Sequence, residues 1–129
     1  MKTPCEMIVK TVLPTIRASI AQELVENHHM SQKDAAEALG VTTAAISQYL
    51  SEKRATKRNL DPFKSKEFDK LVKEAADTIA KRPGEIEVMR AICRCCMQVR
   101  STRLVCDMHR AIAPELGECD FCLNLNCNI

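Results

Sequence analysis

The sequence has no tryptophan, one tyrosine and three phenylalanines, so its 129 residues offer few aromatic side chains to fill a core. Glycine is just as scarce, at three. Sandwiches and barrels of many short strands need turn glycines and strand aromatics, and this composition supplies neither. Ala, Leu, Ile, Glu and Lys are abundant instead, and they favour helix, so the expected fold class is all-α. Long apolar runs are missing too. The N-terminal MKTPCEMIVKTVLPTIRASIA is broken by Glu6, Lys10 and Arg17, which excludes the uninterrupted apolar stretch of a secretory signal. Nothing approaches the roughly 20 apolar residues of a membrane span. The expectation is a cytoplasmic chain with no membrane partner, in a compartment that keeps thiols reduced. No nucleotide-binding glycine fingerprint, Ser/His/Asp set or paired-carboxylate arrangement is visible, so no catalytic residue is assigned and the chain reads as a non-enzyme.

Charge is present but unevenly placed. The net charge is +2, yet residues 51–66 carry six Lys or Arg against Glu52 and Asp61. Residues 90–110 carry five arginines against Asp107, and residues 111–129 carry Glu115, Glu118 and Asp120 with no base. Two basic stretches and an acidic tail fit a chain that binds nucleic acid.

Helical periodicity is strongest in the first half. Between Met7 and Asn27, residues Ile8, Val9, Val12, Leu13, Ile16, Ile20, Leu24 and Val25 recur at three- and four-residue spacing, the mark of one long amphipathic helix that Pro14 bends or divides. The segment SQKDAAEALGVTTAAISQYL, residues 31–50, carries more detail. Ser31 followed by Asp34 reads as a capping box that starts a helix. Gly40 stops it, because a tight turn there needs positive φ. Val41 plugs the core, Thr42 caps the next helix, and Ile46, Tyr49 and Leu50 point inward. Ala36 is small where two helices would cross.

This pattern resembles the helix-turn-helix of Cro/C1-type (xenobiotic-response-element-type) transcription regulators over about residues 8–58, through Gln32, Ala36, Gly40, Val41, Ile46 and Tyr49. The resemblance implies a DNA-binding regulator whose recognition helix, Thr42–Leu50, enters the major groove of double-stranded DNA. The DNA-binding set it implies is Gln32, Thr42, Thr43, Ala44, Ser47, Gln48, Lys53, Arg54, Lys57 and Arg58. Gln48 would pair with adenine, Thr43 and Ala44 would meet thymine methyl groups, and Gln32 and the basic residues would hold phosphates. A homodimer is the expected assembly, from the resemblance and from more apolar helical faces than a small core can use.

Residues 1–58 are read as the DNA-binding domain and 59–66 as a linker, within a polar stretch that contains Asp61-Pro62. Residues 67–129 are read as a helical, cysteine-rich region. A helix is expected through Phe68, Leu71, Val72, Ala75, Ala76 and Ile79, closed by KRPG at 81–84. Another starts near Gly84, with Ile86, Met89, Ile92, Cys93 and Cys96 on one face. This part looks like the cysteine-containing extension of archaeal regulators of the same type.

Eight cysteines stand against the general scarcity, seven of them in the last 37 residues. Cys93-x2-Cys96 and Cys119-x2-Cys122 form two chelating pairs 22 residues apart, with Cys106 and His109 between them. Converging thiolates in this spacing point to a metal. The candidate ligands are Cys93, Cys96, Cys106, Cys119 and Cys122, while Cys95 reads as a spare thiol and His109 as an exposed side chain. Surplus thiolates, and the absence of knuckle glycines around the first pair, suit an iron–sulfur cluster, 4Fe–4S in form. Structural zinc and thiol-only redox chemistry stay open. The expectation is a regulator whose cluster senses redox, oxygen or iron status; the alternative is a zinc-stapled helix-turn-helix regulator or protein-interaction module.

Overall fold

Proline decides how the chain enters its first helix. In the computed structural model, which describes residues 6, 8–55, 65–102, 104–112 and 114–116 (without the side chains of 53–55, 104, 105, 112 and 116), Ile8–Val12 is π-helical and α1 follows as Leu13–Glu26. Pro14 has no N–H to donate and its ring crowds the carbonyl four residues back, so the ladder widens ahead of it. Thr15 Oγ1 donates to the Thr11 carbonyl at 3.1 Å across the same joint. The chain changes from π to α geometry at Val12–Leu13 with Val12 still in helical backbone (φ −83°, ψ −49°), so Pro14 alters the helix without interrupting it.

Five further helices follow: α2 (Gln32–Leu39), α3 (Thr43–Ala55), α4 (Lys66–Ala80), α5 (Glu85–Arg100) and α6 (Leu104–Ile112), then a 3-10 turn at Pro114–Leu116. There is no strand among the described residues, and the fold is all-α. No helix of the described residues is long and apolar enough to cross a membrane.

The core is aliphatic, as the aromatic scarcity requires. Ile16, Ile20 and Leu24 of α1 are fully buried, each burial contributing about 1.5–3 kcal/mol. α1 packs against α2, α3, α4 and α5, and α4 against α5 is the most extensive pairing. Phe68, Val72, Ala76 and Ile79 of α4 belong to the same buried cluster as Ile16, Ile46 and Leu50. Residues 56–64 lie outside the described residues, but the core does not divide where the linker was expected. The helices after it complete the hydrophobic interior of the helices before it.

The register of α5 differs from the expected one. Ala91, Cys95 and Val99 are buried, while Ile86 and Met89 are 61% and 57% exposed. Two apolar rows run along this helix, and periodicity alone does not say which faces inward. Small residues decide it: α4 brings Ala75 and Ala76, and α5 brings Ala91 and Cys95, the combination that lets two helix backbones approach closely.

Candidate nucleic-acid interface

The helix-turn-helix is assembled by three local devices. Ser31, in extended backbone (φ −67°, ψ 158°), accepts the Asp34 N–H on its side chain at 3.1 Å and starts α2. Gly40, at φ 70° and ψ 33°, ends it in the left-handed region. There the Val41 N–H reaches back to the Ala36 carbonyl at 3.0 Å, a Schellman closure. Thr42 Oγ1 then accepts the Ala45 N–H at 3.0 Å and opens α3. Ile46 and Leu50 are buried and Tyr49 half-buried, so α3 turns its other side outward.

That outer side carries the residues expected there. Thr43, Ala44, Ser47 and Gln48 are exposed, and so are Thr42 at the cap and Gln32 at the start of α2. Thr43, Ser47 and Ala44, Gln48 form adjacent i,i+4 rows, the surface a recognition helix offers to base edges. α3 runs through Lys53 and Arg54 to Ala55; the side chains of Lys53 and Arg54, and all of Lys57 and Arg58, lie outside the described residues.

Sequence reasoning overlooked Glu52. Gln48 Nε2 donates to Glu52 Oε1 at 3.2 Å, so a carboxylate orients the amide that would read a base. It also sets a negative charge among the residues expected to meet phosphate, where it would oppose non-specific binding. The i,i+4 spacing of Gln48 and Glu52 was the available signal. Arg82 was likewise overlooked: from the α4–α5 turn it reaches Asp34 at 3.4 Å and Glu37 at 3.5 Å on α2. His28 Nε2, after α1, lies 2.9 Å from Asp77 Oδ1 on α4.

The cysteine helix sorts its thiols by burial. Cys95, read as spare, is fully buried in the core, and burial, reinforced by the neighbouring Cys96, pushes its thiol up to about 12. A thiol so hard to ionise is a packing group. Cys93 and Cys96 are half-buried and lie i,i+3 along one flank of α5. On α6, Cys106 and His109 are buried, the latter against expectation. Among the described residues no three His, Cys, Asp or Glu side chains form a group able to hold a metal ion; Cys119 and Cys122 lie outside them. Arg100 is buried at the end of α5.

No curated protein and no solved structure matches this chain. Residues 22–61 match a family model described as helix-turn-helix, and this segment, from within α1 to beyond α3, is where the two capped helices, the Gly40 turn and the outward row of α3 all fall.

Proposed function

We propose that the protein is a DNA-binding transcription regulator that reads double-stranded DNA with α3. One observation carries this reading: the exposed row Thr43, Ala44, Ser47 and Gln48 stands opposite buried Ile46 and Leu50, inside the segment that matches the helix-turn-helix model. α3 lies in the major groove; Gln48 meets adenine, Thr43 and Ala44 meet thymine methyl groups, and Thr42 and Gln32 face the backbone beside helix N-termini. Lys53, Arg54, Lys57 and Arg58 supply phosphate contacts. Two copies bind as a homodimer with recognition helices about 34 Å apart.

The cysteine-rich end holds a metal centre in this proposal. Cys93 and Cys96 suit it: they share one flank of α5 and are half-buried, so solvent and a metal can reach them. Cys119 and Cys122 would close the set, with Cys106 as the further candidate. An iron–sulfur cluster held there would supply a charge and an integrity that change with oxidation or iron supply. The chain's own part is to place that pair on α5, the helix whose inner face shares the core of the DNA-reading segment.

The test begins with selection of bound sequences from a random duplex library, followed by anisotropy at several salt concentrations. One enriched motif with steep salt dependence is expected, lost in the Gln48→Ala/Arg54→Ala double variant; uniform weak binding that the double variant leaves unchanged would overturn the DNA reading. Anaerobic purification with metal analysis tests the centre. Brown protein containing iron and sulfide supports the cluster; colourless protein with stoichiometric zinc replaces it with a structural staple.

A further inference from the structure

A cavity of about 490 Å³ opens on the side of the molecule where α1, the end of α2, the α4–α5 turn and the first half of α5 meet. Its walls are mainly apolar, with Leu13, Ala38, Leu39, Ile79, Val88 and Ile92 among them. That volume falls within the range of small-molecule sites, roughly 300–1,000 Å³. Exposed Met89 also lines it. None of the residues assigned to DNA reading does.

Four charged side chains complete the lining: Arg17, Glu37, Arg82 and Glu85. Arg82 and Glu37 are 3.5 Å apart and answer one another. Glu85 is exposed in the first turn of α5, where the helix dipole already favours a carboxylate. Arg17 remains. It is half-buried on α1 and has no hydrogen-bond or ion-pair partner among the described residues. A half-buried cation in a mainly apolar wall, with no direct partner among the described residues, is the complement of an anion with an apolar body.

We infer that this cavity binds a small amphipathic anion, its apolar part against Leu39, Ile79 and Ile92 and its carboxylate on Arg17. The site touches the DNA-reading machinery from behind. Ala38, Leu39 and Gly40 line it, and Gly40 is the turn that sets the direction of α3. An occupant wedged between α5 and this turn acts on the recognition helix without approaching DNA, and so serves as an effector. That second step rests on the DNA reading proposed above; the binding step does not.

The experiment uses the full chain with ¹³C-labelled Ile and Met methyl groups, titrated with decanoate, decylammonium and decan-1-ol. Decanoate is expected to shift the Ile79, Ile92 and Met89 methyl signals saturably and to leave those of Ile16 and Ile20 in place. Arg17→Gln should weaken decanoate by roughly ten-fold or more, the worth of a charge-assisted contact, while leaving decan-1-ol unchanged. Ala38→Leu, which fills the space, should abolish the shifts, with Ile16 and Ile20 signals as the control for folding. Equal affinity for decylammonium, or shifts spread evenly over all methyl groups, would overturn the proposal. So would Met89 and Ile92 signals that change with protein concentration alone, since a second copy would then occupy the cavity. Anisotropy on DNA with and without decanoate reads the coupling: unchanged affinity despite saturated methyl shifts refutes the effector role alone, and absent DNA binding strikes the DNA reading alone.

Discussion

Two joints in this molecule turn one helix into the next, and they are built on different terms. Between α2 and α3 the left-handed residue is Gly40, at φ 70°, and Ser31 and Thr42 cap the two helices with their own side chains. Between α4 and α5 the left-handed residue is Arg82, at φ 55°, and Gly84 begins α5 with no side-chain cap. The first joint is satisfied within its own residues. The second places a bulky residue in a region that L side chains avoid, at roughly 1–2 kcal/mol, and its guanidinium reaches across to Asp34 and Glu37. The dependent joint therefore leans on the self-sufficient one. α3 follows the self-sufficient joint, and the cysteine helix follows the one held by contacts elsewhere.

The helices that leave the two joints offer the largest contrast. At the fourth position of α3, Ile46 is fully buried; at the second position of α5, Ile86 is 61% exposed. Ile46→Ala should cost about 2–5 kcal/mol through lost burial and the cavity left behind. Ile86→Ala should fall within about 0.5 kcal/mol of the parent. Urea denaturation of the two variants decides it. Comparable losses would mean that α5 buries its first turn after all, as sequence periodicity suggested.

One substitution made at both glycines should act with opposite signs. Neither Gly40 nor Gly84 has an atom within 4 Å of where a Cβ would stand, so space does not separate them; backbone does. Gly40→Ser forces a side chain into the left-handed region and should destabilise by about 1–2 kcal/mol. Gly84, at φ −66° and ψ 164°, nearly repeats the Ser31 backbone at φ −67° and ψ 158°. The Glu87 N–H already donates to the Gly84 carbonyl at 3.1 Å, so Gly84→Ser should act chiefly by lowering the entropy of the unfolded chain, stabilising by about 0.4–1 kcal/mol. Thermal unfolding of both variants gives the sign directly, and a shared sign would remove the distinction between the joints.

The same division explains what could be read from the sequence. Ser31, Gly40, Thr42, Ile46 and Leu50 behave as their residue types require, because caps, turns and the i,i+4 row are settled within a few residues of each. α5 was legible as a helix but not in its rotation. The row of Ile86, Met89 and Cys93 and the row of Val88, Ala91, Ile92, Cys95 and Val99 are both apolar at helical spacing, and only the approach of α4 chooses between them. That choice sends Cys95 into the core and leaves Cys93 and Cys96 on its margin. In KRPG it is Arg82 that takes left-handed backbone, which residue type does not announce, and its partners lie on α2, some 45 positions earlier. The Leu13–Ile92 cavity is a product of tertiary packing and had no signature in the chain.

Arg82 itself gives the smallest effect and the finest test of how the second joint is held. Arg82→Ala removes both contacts to α2 but keeps a Cβ in the left-handed region. The two pairs are about half exposed and of long reach, each worth about 0–1 kcal/mol, so the loss should be about 1 kcal/mol. Arg82→Gly removes the same contacts and also relieves the backbone, and should return to within a few tenths of a kcal/mol of the parent. In high salt the parent should lose its advantage over Arg82→Ala, because screening weakens the pairs in one and has nothing comparable to weaken in the other. The order glycine variant above alanine variant, with a salt-dependent gap to the parent, would show a strained turn offset by ion pairs. A glycine variant as unstable as the alanine one would show instead that the side chain, and not the backbone, is what the second joint requires.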